Sequence, residues 1–242
     1  MIMNYPKVEL HLHLDGAIQE DLICKYAKEE GMFPEGMSDE EYVKSHQMTD
    51  AMPLSEALKQ CDFLLSLLLK PEHLTEVSYR ILHDHYLQGV RICELRFAPQ
   101  QHQPAMSMEE AVEAVIKGIN QAKQEHPDLC CGVLLCMMVM GDATNYDDNK
   151  KTVELCKKYQ NQGVIGLDLA GAEGSKPMAS FGYLFDYAKE LGVQFTAHAC
   201  ESCPAENVQY IIDKGATRVG HGVLCVTDDK VVENVIQSGI TM

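Results

Sequence analysis

The sequence predicts an α/β protein in which parallel strands alternate with helices. Two observations carry this. Short β-rich runs recur along the chain, and after the first connection successive strand starts lie 24 to 42 residues apart with a helical pattern between them. Such spacing leaves room for a crossover helix, which parallel neighbours need and a hairpin turn cannot supply. A third observation bounds the size: 242 residues, 46% hydrophobic and 23% charged, have the composition and length of one large globular domain. Repeated βαβ units leave two architectures open, a doubly wound open sheet and a (β/α)8 barrel.

The strands are expected at Lys7–Leu14, Val90–Ala98, Gly132–Met138, Val164–Ala170, Gln194–Ala199 and Arg218–Val223. Helices are expected at 54–69, 72–88, 108–124, 148–161, 178–191, 204–214 and 228–238. The connection from Ala17 to Gly89 is too long for a simple crossover, and Gly31, Pro34, Gly36 and Pro53 punctuate it. It reads as a helical insertion between the first and second strands. Asp228 and Asp229 stand before the periodic run Val231, Val232, Val235 and Ile236, as an N-cap and an acidic first turn, and Gly239 closes that helix. Ile240, Thr241 and Met242 then open a seventh strand. A barrel of eight units takes about 250 residues, so residues 1–242 are expected to be one barrel domain truncated after its sixth strand.

Charge excludes whole classes of partner. Twenty Lys and Arg against 36 Asp and Glu give a net charge of −16, which repels phosphate backbones and anionic lipid. Nucleic acid and membrane surfaces are therefore not expected partners. The ten cysteines are scattered, mostly within apolar runs, as small buried hydrophobes of a reducing compartment. With neither a signal-peptide apolar region nor an 18-residue apolar run, the chain is expected in the cytoplasm.

The strongest local signal is Glu9-Leu-His11-Leu-His13-Leu-Asp15-Gly16. Alternation on a strand points Leu10, Leu12 and Leu14 one way and the four polar side chains the other. Two imidazoles on one face are the donors a divalent metal takes. His83-Asp84-His85 has the same spacing within a helical pattern, where neighbours two apart diverge, so this pair is expected on an ordinary helix surface. His198, near the end of an apolar strand, is a candidate third ligand, with Glu201 where the strand gives way to its loop. Cys200 and Cys203 form a C-x-x-C without the context of a redox motif. His221 stands between glycines at the sixth strand's end, a place suited to an acid or base, and Gly171 leaves room for a ligand beside a backbone N–H. Asp168, Glu94 and Arg96 read as an internal ion-pair network. These clusters fall at the C-terminal ends of strands one, four, five and six, where barrel active sites are built.

Together the stretches Val8–Ala17, Glu94–Pro99, Gly166–Glu173, His198–Glu201 and Val219–Val223 resemble, in the same order, the adenosine deaminase family of zinc-dependent purine deaminases. The resemblance implies an amidohydrolase barrel of the TIM type, and Asp15 with the Asp168-Leu-Ala-Gly-Ala stretch favours its adenosine branch. It implies one Zn2+ per chain held by His11, His13 and His198. His221 would orient the attacking water and take its proton, and Glu201 would protonate the purine ring. His13, Asp15 and Gly171 would meet a purine nucleoside, Asp15 at its ribose and Gly171 through its N–H. The products would be inosine and ammonia; adenine, AMP or an N6-modified adenosine are the alternative substrates. Two departures stand out: Cys200 where the family usually has glycine, and no match to the family's Asp ligand after the eighth strand. An inactive truncated fragment is the alternative that the second departure raises.

Overall fold

A computed structural model describes residues 5–47, 53–141 and 145–242. Residues 48–52 of the expected insertion fall outside that description. The chain forms two compact units, Met1–Val133 and Leu134–Met242.

The first unit opens with β1 (Lys7–His13), followed by α1 (Glu20–Glu29), α2 (Asp39–Ser45), α3 (Leu54–Leu65) and α4 (Pro71–Leu87). The insertion is thus helical, as its punctuation implied. β2 (Val90–Phe97) and α5 (Met108–Glu125) follow, and β3 (Cys130–Val139) begins. Local chemistry sets the helix starts. Ser38 and Glu41 form a reciprocal capping box on α2, Ser107 and Glu110 form another on α5, and Pro71 occupies the first turn of α4. β1 pairs with β2 in parallel, with register shifts between Lys7 and Val8 and between Glu9 and Leu12. Leu14, just after the strand, is fully buried, whereas Leu10 and Leu12 are half-buried. The Glu9 carboxylate accepts the His11 N–H at 2.8 Å.

The second unit takes up the rest of β3 and continues through α6 (Tyr146–Tyr159), β4 (Val164–Gly171), α7 (Gly182–Glu190), β5 (Thr196–Ala199), α8 (Glu206–Asp213), β6 (Arg218–His221) and α9 (Asp229–Ser238). β3 lies beside β4, a bridge joins Leu167 to Phe195 just before β5, and β5 pairs with β6 in parallel. Thr241 bridges to Arg218, so the run after α9 extends this arrangement. Strand neighbours follow chain order without the reversal that defines a doubly wound sheet, which settles the choice left open by the sequence in favour of barrel-type winding. Asp228 caps α9 by accepting from the N–H groups of Lys230 and Val231, and Gly239 ends it at φ 66°.

Candidate active site

The candidate residues form one group in each unit. In the first, β1 carries His11 and His13 two residues apart, and their Nε2 atoms stand 3.3 Å from each other. Two imidazole lone pairs at that distance repel unless a proton or a cation lies between them. Bonds of 2.0–2.1 Å to a tetrahedral zinc would separate two donor nitrogens by about 3.4 Å, so the pair fits such an ion in spacing and donor type. Asp15 opens a 3-10 turn, Asp15–Ala17, directly after the strand. Burial holds its carboxyl above the usual range, and the charge of Asp62 adds to this, against the opposing backbone N–H groups of Asp15 and Gly16.

In the second unit His198 lies on β5, buried and in register with Gly220. Its Nδ1 sits 3.2 and 3.1 Å from the two carboxylate oxygens of Asp168 on β4, a residue with no solvent exposure. An ionised carboxylate only accepts, so Nδ1 carries the proton and Nε2 the lone pair, the tautomer a metal ligand needs. Asp168, expected in an internal ion-pair network, is internal and hydrogen-bonds the candidate ligand itself. The His221 ring at the end of β6 is centred 5.0 Å from that of His198, and His221 Nε2 lies 3.7 Å from a Glu201 carboxylate oxygen.

Glu173, absent from the expected set, fixes the loop that carries Glu201. Its Oε1 accepts from Cys200 N at 2.7 Å and Asn207 Nδ2 at 2.9 Å. Its Oε2 accepts from Glu201 N at 3.0 Å and Ser202 N at 2.9 Å. No pattern in the sequence announces this, because every partner lies 27 to 34 residues downstream.

Gly171, the last residue of β4, has φ 106°, and a Cβ there would meet the Val139 carbonyl oxygen at 2.6 Å. The close approach of β3 thus requires glycine at this position. Gly171 also lines a cleft with His198, Glu173, Lys176, Met178 and Phe181. Cys200 stands in the left-handed region at φ 55°, where glycine is the unstrained choice. Burial pushes its thiol up to about 11 and raises Cys203 as well, so neither is poised as the thiolate that redox exchange requires. No disulfide joins any of the ten cysteines among the described residues.

A family profile described as adenosine deaminase matches residues 6–242. The chain belongs to the adenosine deaminase family. A curated adenosine deaminase of Haemophilus ducreyi is 35% identical over 242 residues, covering 97% of this chain and 69% of that protein. Among solved structures, the N6-mAMP deaminase of Arabidopsis matches with a TM-score of 0.82 at 25% identity, over 99% of this chain and 71% of that one. An amidohydrolase of Burkholderia ambifaria, solved with bound Zn, matches with a TM-score of 0.86 at 24% identity, over 98% of this chain and 64% of that one. Within the adenosine deaminase family the chain is an aminohydrolase of the metal-dependent type, and its fold is that of the TIM-barrel amidohydrolases. No helix among the described residues is long and apolar enough to cross a membrane.

Proposed function

We propose that this adenosine deaminase family member hydrolyses adenosine or 2′-deoxyadenosine to inosine and ammonia, with one Zn2+ per chain held by His11, His13 and His198. When bound, the zinc supplies Lewis-acid activation of a water molecule. His221 orients that water and accepts its proton. Glu201 donates a proton to the ring nitrogen beside the attacked carbon, so that carbon becomes tetrahedral without leaving a ring anion. A carbon–oxygen bond forms and the exocyclic carbon–nitrogen bond breaks, its electron pair leaving on nitrogen. The proton held by His221 passes to that nitrogen, so the amine departs as ammonia, and Glu201 recovers a proton from the hydroxyl that becomes the inosine carbonyl. Asp15 hydrogen-bonds the ribose, Gly171 offers its N–H to the purine, and His13 borders the same nucleoside.

One observation carries the reading. In the second unit an imidazole locked by Asp168 stands beside a second imidazole and a carboxylate, so a ligand, a base and an acid share one cluster. Loss of adenosine absorbance with zinc supplied is the direct assay, and no loss overturns the proposal. Glu201→Gln is expected to lower kcat by about 10²–10⁴-fold while metal analysis finds the zinc retained.

Nucleotide substrates form the second reading, favoured by the likeness to an N6-mAMP deaminase and by Lys176 in the cleft. The net charge of −16 stands against it. Relative kcat/KM for adenosine, AMP, N6-methyl-AMP and adenine separates the readings. We also assign residues 1–242 to one incomplete barrel domain and the protein to the cytoplasm; the burial of most of its cysteines as small apolar side chains supports a reducing compartment.

A further inference from the structure

The paired helices of the first unit bring together side chains that the proposed chemistry does not use. α4 and α5 are held in close contact at Gly118, where a Cβ would meet Ser78 Oγ at 2.0 Å and the Thr75 carbonyl at 2.4 Å. Thr75 Oγ1 donates to the Ala114 carbonyl across the same crossing at 3.0 Å. This fixed contact sets His83 of α4 beside Glu125, the last residue of α5, and His126, its C-cap.

His83 Nδ1 lies 3.1 Å from His126 Nε2 and 3.4 Å from Glu125 Oε1, and the remaining edge of the triangle is 4.0 Å. Donors bound to one first-row metal ion at 2.0–2.2 Å stand about 2.8–3.6 Å apart, across octahedral and tetrahedral geometries. Two edges already comply. The third needs only a small swing of the Glu125 carboxylate, whose side chain is 46% exposed.

The surroundings orient these donors. His126 stacks on Tyr86 with ring centroids 3.9 Å apart. Tyr79 donates its hydroxyl proton to Glu125 Oε2, which leaves Oε1 as the oxygen turned to the imidazoles. His85 is turned away, with its Nδ1–H donating to the Ile81 carbonyl at 2.8 Å. The pair His83 and His85 therefore does not chelate, as their helical spacing implied, and His83 reaches across to the neighbouring helix end. A second cluster of this kind, Glu29, Glu30 and His73, already holds a cation, because the Lys70 ammonium lies 2.6 Å from Glu30 and 3.8 Å from Glu29.

We propose that His83, Glu125 and His126 form a second metal site, separate from the candidate active site, for a borderline divalent ion of the zinc, cobalt or nickel type. Two imidazoles and one carboxylate select such ions over magnesium or calcium, which take oxygen donors. The site clips the C-terminal end of α5 to α4 and leaves the remaining coordination positions to solvent.

The test uses purified protein and Zn2+ alone, with stoichiometry measured by equilibrium dialysis and metal analysis. His83→Gln and Glu125→Ala are the variants, since both positions are more exposed than His126 and tolerate change. Wild type is expected to hold one zinc equivalent more than either variant, or to hold the second equivalent at least ten-fold more tightly. Co2+ loaded to the same stoichiometry is expected to lose the second site's visible absorption in both variants, while adenosine turnover stays unchanged. Equal stoichiometry and equal affinity in wild type and both variants would overturn the proposal. Failure of adenosine turnover in every form, with the stoichiometric difference intact, would count against the proposed catalytic reading and leave this one standing.

Discussion

Replacing Glu173 by glutamine tests whether the loop bearing Glu201 is set by a single carboxylate. Each Glu173 oxygen accepts two hydrogen bonds: Cys200 N and Asn207 Nδ2 at Oε1, Glu201 N and Ser202 N at Oε2. Glutamine supplies one acceptor oxygen and one NH2 group, so either amide orientation turns a donor toward two donors. Two charge-assisted bonds are lost outright, at about 1.5–3 kcal/mol each. Glu173 is half-buried, and water recovers part of that loss, which leaves a net destabilisation of about 2–4 kcal/mol. Urea unfolding followed by circular dichroism reads this directly. Glu201 loses its anchored backbone in the same step, and a displacement near 1 Å costs about 10²-fold in turnover. Zinc stoichiometry is expected to be unchanged, because His198 precedes the loop on β5. Stability within about 0.5 kcal/mol of wild type, a difference ordinary surface substitutions produce, together with unaltered kcat, would refute the reasoning.

Asp168→Asn weakens the hold on the His198 tautomer and is expected to lower zinc affinity by about 10–100-fold, measured by competition with a chelating dye. At Cys200, glycine and alanine both remove the thiol but only glycine relieves the left-handed backbone, so Cys200→Gly should exceed Cys200→Ala in stability by about 1 kcal/mol, read from urea midpoints. Burial depresses His102 to about 4, below its unfolded value near 6.5. The unfolded chain therefore binds a proton first as pH falls. The stability that neutral His102 contributes is full above about pH 6.5 and declines by about 3 kcal/mol on acidification to pH 4. Unfolding wild type and His102→Gln across that range should show the gap between them shrinking by this amount; a constant gap would exclude His102 as the source.

Periodicity made most of the fold legible. β1, β2 and β4 appear within one residue of their expected bounds at each end, and α5 runs from Met108 as read from its pattern. Departures fall where backbone geometry outweighs periodicity. β6 ends at His221, two residues early, because His221 and Gly222 both have positive φ. The helix expected over 178–191 opens instead as a 3-10 turn, Met178–Phe181, before α7. In the candidate site, His11 and His13 were legible as a pair because residues two apart on a strand share a face, and β1 does bring their rings together. His198 stood out as a polar side chain in an apolar strand, and β5 does bury it. Glu173 was not legible, because its role depends on which loop returns to it. The His83 cluster escaped for a related reason: the sequence excluded a partner on its own helix and carried no sign of the one across the helix pair.

The ends of β5 and β6 show how strain and positioning are joined. Among the described residues three non-glycine residues have positive φ, and two of them, Cys200 at 55° and His221 at 64°, belong to the candidate site. Each such conformation costs about 1–2 kcal/mol, so surrounding contacts must hold it. At Cys200 the Glu173 carboxylate accepts the backbone N–H and the thiol donates to the Pro204 carbonyl at 3.0 Å. Beyond His221, Gly222 N donates to Ala199 O and Leu224 N to Cys200 O, each at 2.9 Å, which ties the second turn to the first. The two turns therefore rest on one set of hydrogen bonds, and Glu173 anchors its upstream end. A carboxylate that touches neither His198 nor His221 in this network sets where both Glu201 and His221 emerge from their strands, which is why its removal should cost turnover and stability together.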